Sequence, residues 1–539
     1  MKPEFCHGIS HKEVSPSFAF VLICLLALCP PRVLAQYTNF RITPSSSGSP
    51  EEVTIAINPT NPLNLLAGAN LNFFYYSVDG GSTWKQGNLG SSFGVWGDPC
   101  VIFDATGNAY FGHLSGTFRN SNWLDRIVVQ KSTDGGKTWN NGAGIGLSSP
   151  KQQDKDWLAC DLTNSAYRNN LYVGWTEFDK YGSASTGDTS RILLARSTDA
   201  GNTWSPPARV SDQGGDCVDS DSTVEGAVPA IGPNGEVYLS WSGPRGILFD
   251  KSTDGGVTFG KDVLVTSQPG GWDFNVPGLQ RCNGFPVTCC DASASPYRGA
   301  IYIMWSDQRN GQDNTDIFLV KSTDQGATWG AVKRVNDDAT KTHQFFPWMV
   351  VDQTTGYLSI VFYDRRTSTG NATDVYLARS TNGGDTFSNT RISQSSFSPT
   401  TSYFLGDYIH VVAASHVIHP IWTRVDSTGS TVWTASIIDS VASGVGTSQT
   451  IPASFSLSQN FPNPFNGSTV IQFSIPFRSE AHLTLFDVLG REVRTLTNGE
   501  VEAGPHSIVL YSDDLPSGVY VYRLKTPQYL TSKKLVITK

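Results

Sequence analysis

Between residues 53 and 438, apolar and polar positions alternate in short runs whose period stays at two and never drifts toward the 3.6 of a helix. Such runs predict strands with one face buried, and they come in sets of four. A first strand such as "PCVIFD" or "WMVVD" precedes an aromatic second strand: "LYVGWTEFD", "VYLSWSGPR", "IYIMWSDQR", "LSIVFYDRR" or "IHPIWTRVD". A third, such as "IFLVKS", runs into a glycine turn, and a fourth follows the turn: "ARVSD", "KRVND", "TRISQ". First strands are predicted to start near Val53, Asp98, Asp156, Glu225, Asp291, Phe346 and Asp407, which makes seven units of antiparallel sheet.

The turns between third and fourth strands are six near-copies of one text: "SVDGGSTW" from Ser77, "STDGGKTW" from Ser132, "STDAGNTW" from Ser197, "STDGGVTF" from Ser252, "STDQGATW" from Ser322 and "STNGGDTF" from Ser380. Their third positions, Asp79, Asp134, Asp199, Asp254, Asp324 and Asn382, recur every 55 to 70 residues. In such a turn the carboxylate accepts backbone N–H bonds, the glycines take positive φ and the Trp or Phe covers the turn, so the motif explains structure without chemistry. A four-stranded sheet repeated at this interval is one blade of a propeller. The prediction is an all-β propeller, with seven blades favoured over six, one per turn. The seventh unit ends near Ile438 with no turn motif and no fourth strand. "FRITPS" shares the register of "ARVSDQ", "KRVNDD" and "TRISQS", so Arg41 matches Arg209, Arg334 and Arg391. The N-terminal strand is therefore predicted to complete the last blade and close the ring, with Arg41 a strand residue rather than a ligand-binding one.

Composition supports a β-rich protein: Gly 52, Pro 29, Trp 14 and only 3 Met, with 39% hydrophobic and 16% charged residues. A net charge of −8 without any basic run argues against a nucleic-acid partner. Lys2 and Lys12, the apolar run Phe18–Cys29 and "RVLAQ" predict a signal peptide over residues 1–35; the run is too short to span a bilayer, and no later one replaces it, so no transmembrane segment is expected in the mature protein. Six cysteines remain: Cys100, Cys160, Cys217, Cys282, Cys289 and Cys290. An even set in an exported protein allows disulfides without choosing their pairing, and the spacing suits no zinc site.

After Ile438 a Ser/Gly/Thr-rich stretch, residues 441–454, is predicted to link the propeller (36–440) to a second domain. From Phe455, "SQNFPNPFNGSTVIQFSIP", "AHLTLFDVLGREV", "LPSGVYVYRL" and "SKKLVITK" predict a small β-sandwich over 455–539. This text resembles the type A sorting domain of the type IX secretion system, and Lys533 and Lys534 fit its basic tail. The resemblance implies Sec export, type IX secretion machinery as the partner of residues 455–539, and passage through the outer membrane of a bacterium of the Bacteroidota or relatives. The propeller then works on the cell surface or in the medium, where extracellular glycans or glycoproteins are its expected partners.

The six turns resemble the Asp boxes, or BNR repeats, of sialidase-type propellers. In that family the boxes lie away from the active site, so chemistry is sought at the opposite loops, which lead into first strands and out of second ones. Two sets fall there. Acids stand at the predicted first-strand starts: Glu51, Glu52, Asp98, Asp156, Glu225, Asp291 and Asp407. Clustered carboxylates repel, so one is protonated or a cation sits among them, structural calcium being the candidate; alternatively each caps its own loop. Aligning "WSGPR", "WSDQR" and "FYDRR" puts Arg245, Arg309 and Arg366 at one equivalent position, where three guanidinium groups would hold a sugar carboxylate, or would pair locally with Asp307 and Asp364. Resemblance to the sialidases further implies Tyr408 in "GDYIHVVAA" as nucleophile and Glu225 in "VEGAVPAIG" as its base. Trp241 stands where that family has an arginine, and the first unit has no room for the family's acid-bearing loop, which leaves Asp98 as the candidate acid. Three readings result: a surface protein that binds or processes acidic glycans, an exo-α-sialidase of glycoside hydrolase type, and a non-catalytic adhesion or scaffold propeller.

Overall fold

The computed structural model describes residues 37–538 apart from 45–49, 117–122, 369, 427–428, 440–453, 461–462, 502–503 and 513–514. The predicted signal peptide and all but residue 454 of the predicted linker lie outside the described residues. Every described regular element is a strand. Seven antiparallel sheets follow one another along the chain, their first strands being Thr54–Ile57, Gly97–Phe103, Gln152–Cys160, Glu225–Ile231, Val287–Cys290, Gln344–Val351 and His410–Ala414. Six of them have four strands in simple sequential order, as propeller blades do. The seventh lacks a sequential fourth strand. Its outer place is taken by Asn39–Arg41, paired with Gly429–Ala435 so that Arg41 lies opposite Trp433. Each first strand packs against the first strand of the next sheet, and His410–Ala414 packs against Thr54–Ile57.

The aromatic second strands explain the packing between sheets. Trp175, Trp241, Trp305 and Trp422 occupy equivalent positions, and all are 0% exposed. Emptying any one of these positions to Ala would cost about 3–5 kcal/mol. The six turns fold alike: in the second, Ser132 Oγ donates to Asp134 Oδ1 (2.8 Å), the Thr138 amide donates to the same oxygen (3.0 Å) and Thr138 Oγ1 donates to Asp134 Oδ2 (2.6 Å). Because strands alternate in direction, these turns lie at the end of each sheet remote from the starts of the first strands.

Arg41 behaves as its register implies. Its side chain is exposed and donates to Thr43 Oγ1 (3.2 Å) and to the Pro44 carbonyl (3.1 Å), much as Arg209 donates to the Ser211 carbonyl (2.8 Å). One expectation fails. Asp291 does not start the fifth first strand but follows it, because that strand is only Val287–Cys290. The carboxylate caps a turn at the remote end, accepting from the Ser293 amide (2.8 Å) and Ser295 Oγ (2.5 Å).

The C-terminal segment forms two sheets. Ser456–Leu457, Ser468–Ile475 and Gly504–Tyr511 make one; Glu492–Val501, Ser479–Asp487, Gly518–Lys525 and Leu530–Ile537 make the other. They enclose a core of their own, with Ile471, Leu483, Leu485, Tyr522, Leu524 and Leu535 all at 0% exposure.

Candidate functional site

Several first strands bend sharply at their start. Ladder pairing shifts between Gly97 and Cys100, Asp154 and Trp157, Glu225 and Val228, and Phe345 and Trp348. In each bulge the second residue takes positive φ: Asp98 (52°), Lys155 (52°), Gly226 (79°) and Phe346 (47°); Glu52 (53°) holds the matching place ahead of Thr54. Only glycine adopts that region without cost, and each of the others stores about 1–3 kcal/mol of strain. Bulges of this kind re-aim side chains. Here they bring Glu52, Asp98 and Lys155 together with Asp407.

Lys155 is the centre of the group. Its ammonium pairs with Asp407 and lies 3.7 Å from Asp98 Oδ2 and 3.8 Å from Glu52 Oε1, with 13% of its side chain exposed. Arg281, half-exposed, donates from Nε to Asp407 Oδ1 (2.8 Å), and its guanidinium lies 4.7 Å from the Phe404 ring. Asn70 donates to Glu52 through Nδ2 and accepts from the Asp98 amide through Oδ1 (2.9 Å). Where the acids converge, the cation expected from their crowding is the Lys155 ammonium. Among the described residues no group of three or more His, Cys, Asp or Glu side chains is placed to hold a metal ion.

Protonation separates within this group. Burial raises the Asp407 pKa, but Lys155 and Arg281 outweigh it and hold the carboxylate well below its usual range. Burial, then Asp98, pushes Glu52 well above its own. Burial, then Asp98, moves Asp154 up to about 8. Glu225, 0% exposed, is raised by burial, Asp219 and Asp154, and neither of its oxygens has a hydrogen-bond donor. The sign of the pH dependence follows. Asp407 and the turn aspartates, of which Asp134 falls to about 2 through its hydrogen bonds despite burial, stabilise the fold above pH 4 and lose that contribution as pH falls. Glu52, Asp154 and Glu225 stay protonated when folded but ionise when unfolded, so their contribution declines as pH rises from about 4 toward 8. Burial lowers His113 and His419 to about 4 and His410 to about 3, so their contribution is present above about pH 6.5 and is lost as pH falls. Thermal unfolding should therefore show maximal stability between the two windows, about pH 5–6.5, and a maximum at about pH 8 or above would contradict these environments.

Above the group lies a cavity of about 290 Å³, lined by Glu51, Asp98, Asp154, Lys155, Asp219 and Asp407 among others. One wall is aromatic: Trp96 and Trp123 pack edge to face at 6.2 Å, as do Trp123 and Tyr181 at 6.1 Å, and Tyr181 Oη donates to Asp219 Oδ2 (2.5 Å). Trp272 and Phe285, 4.6 Å apart, also line the cavity. A smaller cavity of about 50 Å³ shares Asp98, Lys155 and Asp407 with the first and is lined also by Trp157, Trp348 and Tyr408.

The residues expected from sequence divide. Asp98 lines both cavities and Asp407 joins it. Glu225 is buried beside Asp154 and Asp219 without lining either cavity, and Asp156 is 2% exposed with both oxygens unbonded. Tyr408 lines the smaller cavity. Its hydroxyl donates to the Pro99 carbonyl (3.1 Å), burial and the Glu52 and Asp98 charges disfavour its ionisation, and no hydrogen bond joins it to Glu225. The three arginines do not converge. Arg309 holds Asp307 (Nε to Oδ1, 2.9 Å) and lies 4.4 Å from the Phe318 ring; Arg366 holds Asp364 (Nε to Oδ2, 2.8 Å) and lies 4.3 Å from the Tyr376 ring; Arg245 is exposed on the hairpin between Gly243 and Gly246. None lines either cavity. Cys100, Cys160, Cys217, Cys282, Cys289 and Cys290 are free thiols. Sequence reasoning missed Lys155, Arg281, Asp154, Asp219 and the loop tryptophans; charges within "QDKDW", the start of a buried strand, were the available signal.

Residues 459–538 match the family model of the secretion system C-terminal sorting domain. The protein is accordingly delivered by type IX secretion to the outer-membrane surface or extracellular space of a Gram-negative bacterium of the Bacteroidetes type. No curated protein matches the chain. Solved structures similar to it include a Hadza microbial sialidase (15% identity, 70% of this chain and 75% of that one, TM-score 0.38). Another is an ulvan lyase of a new polysaccharide lyase family (10%, 75% and 96%, 0.44), and a third is an α-L-arabinofuranosidase from Fusarium graminearum (12%, 73% and 98%, 0.42).

Proposed function

We propose that the chain is a seven-bladed propeller, closed by its N-terminal strand, that binds extracellular glycan in the larger cavity and cleaves it by glycoside hydrolysis. The observation that carries this is an aromatic wall facing carboxyl groups whose protonation differs. Sugar rings offer apolar C–H faces to aromatic rings and hydroxyls to carboxylates, which matches a pocket with an apolar wall and a few convergent polar groups. Asp154, protonated at neutral pH, suits a general acid toward the glycosidic oxygen; Asp407, held ionised, suits stabilisation of the positive charge that develops at the anomeric carbon.

Charge points to a neutral or amino sugar rather than the acidic one that the arginine alignment suggested. The two cations of the cavity are already engaged by Asp407 and Asp98, so a ligand carboxylate would meet acids without a free partner. The sialidase assignment of Tyr408 has less support, since its hydroxyl serves the Pro99 carbonyl.

The test is a binding screen of the full chain against neutral, amino and acidic oligosaccharides, run beside Trp123→Ala. Removing one stacking ring should weaken binding about tenfold, from a loss of about 1–1.5 kcal/mol. Absence of binding to every sugar would leave the scaffold reading, and preference for acidic sugars would overturn the charge argument.

A further inference from the structure

The segment 267–286, between the fourth and fifth sheets, carries its own two-stranded sheet, Asp273–Phe274 paired with Cys282–Asn283. The segment supplies Trp272, Arg281, Cys282 and Asn283 to the cavity described above. It also borders a second, larger cleft of about 610 Å³, lined by Phe274, Asn275, Gln308, Gln312, Asp313 and His343 among others. Asp273 lines both.

We infer that this cleft is a second sugar-binding subsite, so that the ligand is a polysaccharide chain lying across the face, with units on both sides of Asp273. The inference rests on the reading of the first cavity as a sugar site. Both volumes fall near the range of formed ligand sites, and together they exceed what a single terminal sugar would fill. Beside the apolar Phe274, Val276, Pro277 and Leu279, the second cleft offers amide, carboxyl and imidazole groups, a mixture of donors and acceptors that suits hydroxyl groups. Parts of it are fixed before any ligand arrives. Gln308 Nε2 donates to the Asn275 carbonyl (3.1 Å) and to Thr315 Oγ1 (3.2 Å), and Thr315 Oγ1 lies 2.9 Å from His343 Nδ1. The acids at its rim, Asp273 and Asp313, disfavour a polyanion, in agreement with the first cavity. The cleft is open to solvent, so a chain that enters it need not end there. Recognition of internal units follows from that, rather than recognition of a chain end alone.

The test is calorimetric titration of the full chain with glucosamine oligomers and with cello-oligosaccharides, each from monomer to hexamer. Affinity should rise at least about tenfold between dimer and hexamer, equivalent to about 1.4 kcal/mol. In the Gln312→Ala/Asp313→Ala variant, whose replaced side chains are exposed and outside the core, that gain should shrink to about threefold or less. A wild-type affinity that is flat beyond the dimer, or a gain that survives in the double variant, overturns the subsite while leaving the first cavity standing. A wild type that binds no oligomer of either series sinks the sugar reading itself, and the subsite with it.

Discussion

Replacing Lys155 with Met is expected to destabilise the fold by about 3–5 kcal/mol at pH 7, the usual consequence of removing one partner from a buried ion pair. That is a large fraction of a typical domain's total stability. The cause is not the loss of a favourable contact alone. Asp407, Asp98 and Glu52 all face this ammonium, and 13% exposure leaves it little water to replace. Without it, Arg281 is the cation left to these carboxyls, and it contacts Asp407 and approaches Glu52 only to 3.9 Å. Two controls separate this from lost packing. Protonating the carboxyls relieves the repulsion, so the deficit should shrink as pH falls toward about 4.5. Adding Asp407→Asn to the variant removes the stranded charge and should recover about half of the loss. Urea denaturation at both pH values measures each quantity. A deficit under about 1 kcal/mol, or one indifferent to pH, would mean that these groups do not interact as their distances imply.

What the sequence made legible and what it hid divide along one physical line. Regular pairing repeats, and repeats can be counted: the first-strand starts near Val53, Asp98, Phe346 and Asp407 lie within a few residues of observed strands because alternation reports a face buried between sheets. Arg41 was legible for the same reason, since a fourth strand carries its arginine at one register in four sheets. Asp291 was misplaced although a repeat could have corrected it. Asp104, Asp161 and Asp352 each follow a first strand and accept from the amide two residues on, as Asp291 does, and all four precede Thr or Ser at that spacing. Irregular backbone is where reading failed. At a bulge two residues oppose one, and the alternation that assigns side chains to faces breaks down. Lys155 and Asp154 sit in such a bulge. Arg281 and Trp272 come from a segment with no counterpart in the other sheets, so no period could mark them.

Asp154→Asn is expected to lower turnover of a neutral or amino oligosaccharide by about 10²–10⁴-fold, the usual contribution of a positioned general acid. Its environment sets the pH dependence. Burial and the Asp98 charge carry the Asp154 pKa to about 8, so wild-type activity should fall as pH rises through that value and the acid loses its proton. Asparagine has no proton to give, and the residual activity of the variant should lack that limb. The leaving group provides the sharper control. A nitrophenyl glycoside departs without protonation, so the loss should shrink to within about tenfold on such a substrate if Asp154 acts on the leaving oxygen. Binding should persist in the variant, because the aromatic wall of Trp96, Trp123 and Tyr181 is untouched. Equal losses on both substrates would instead assign Asp154 to positioning. Undiminished turnover would move the acid to Glu51 or Glu52, the neighbouring carboxyls of this cavity that burial keeps protonated, Glu51 up to about 8.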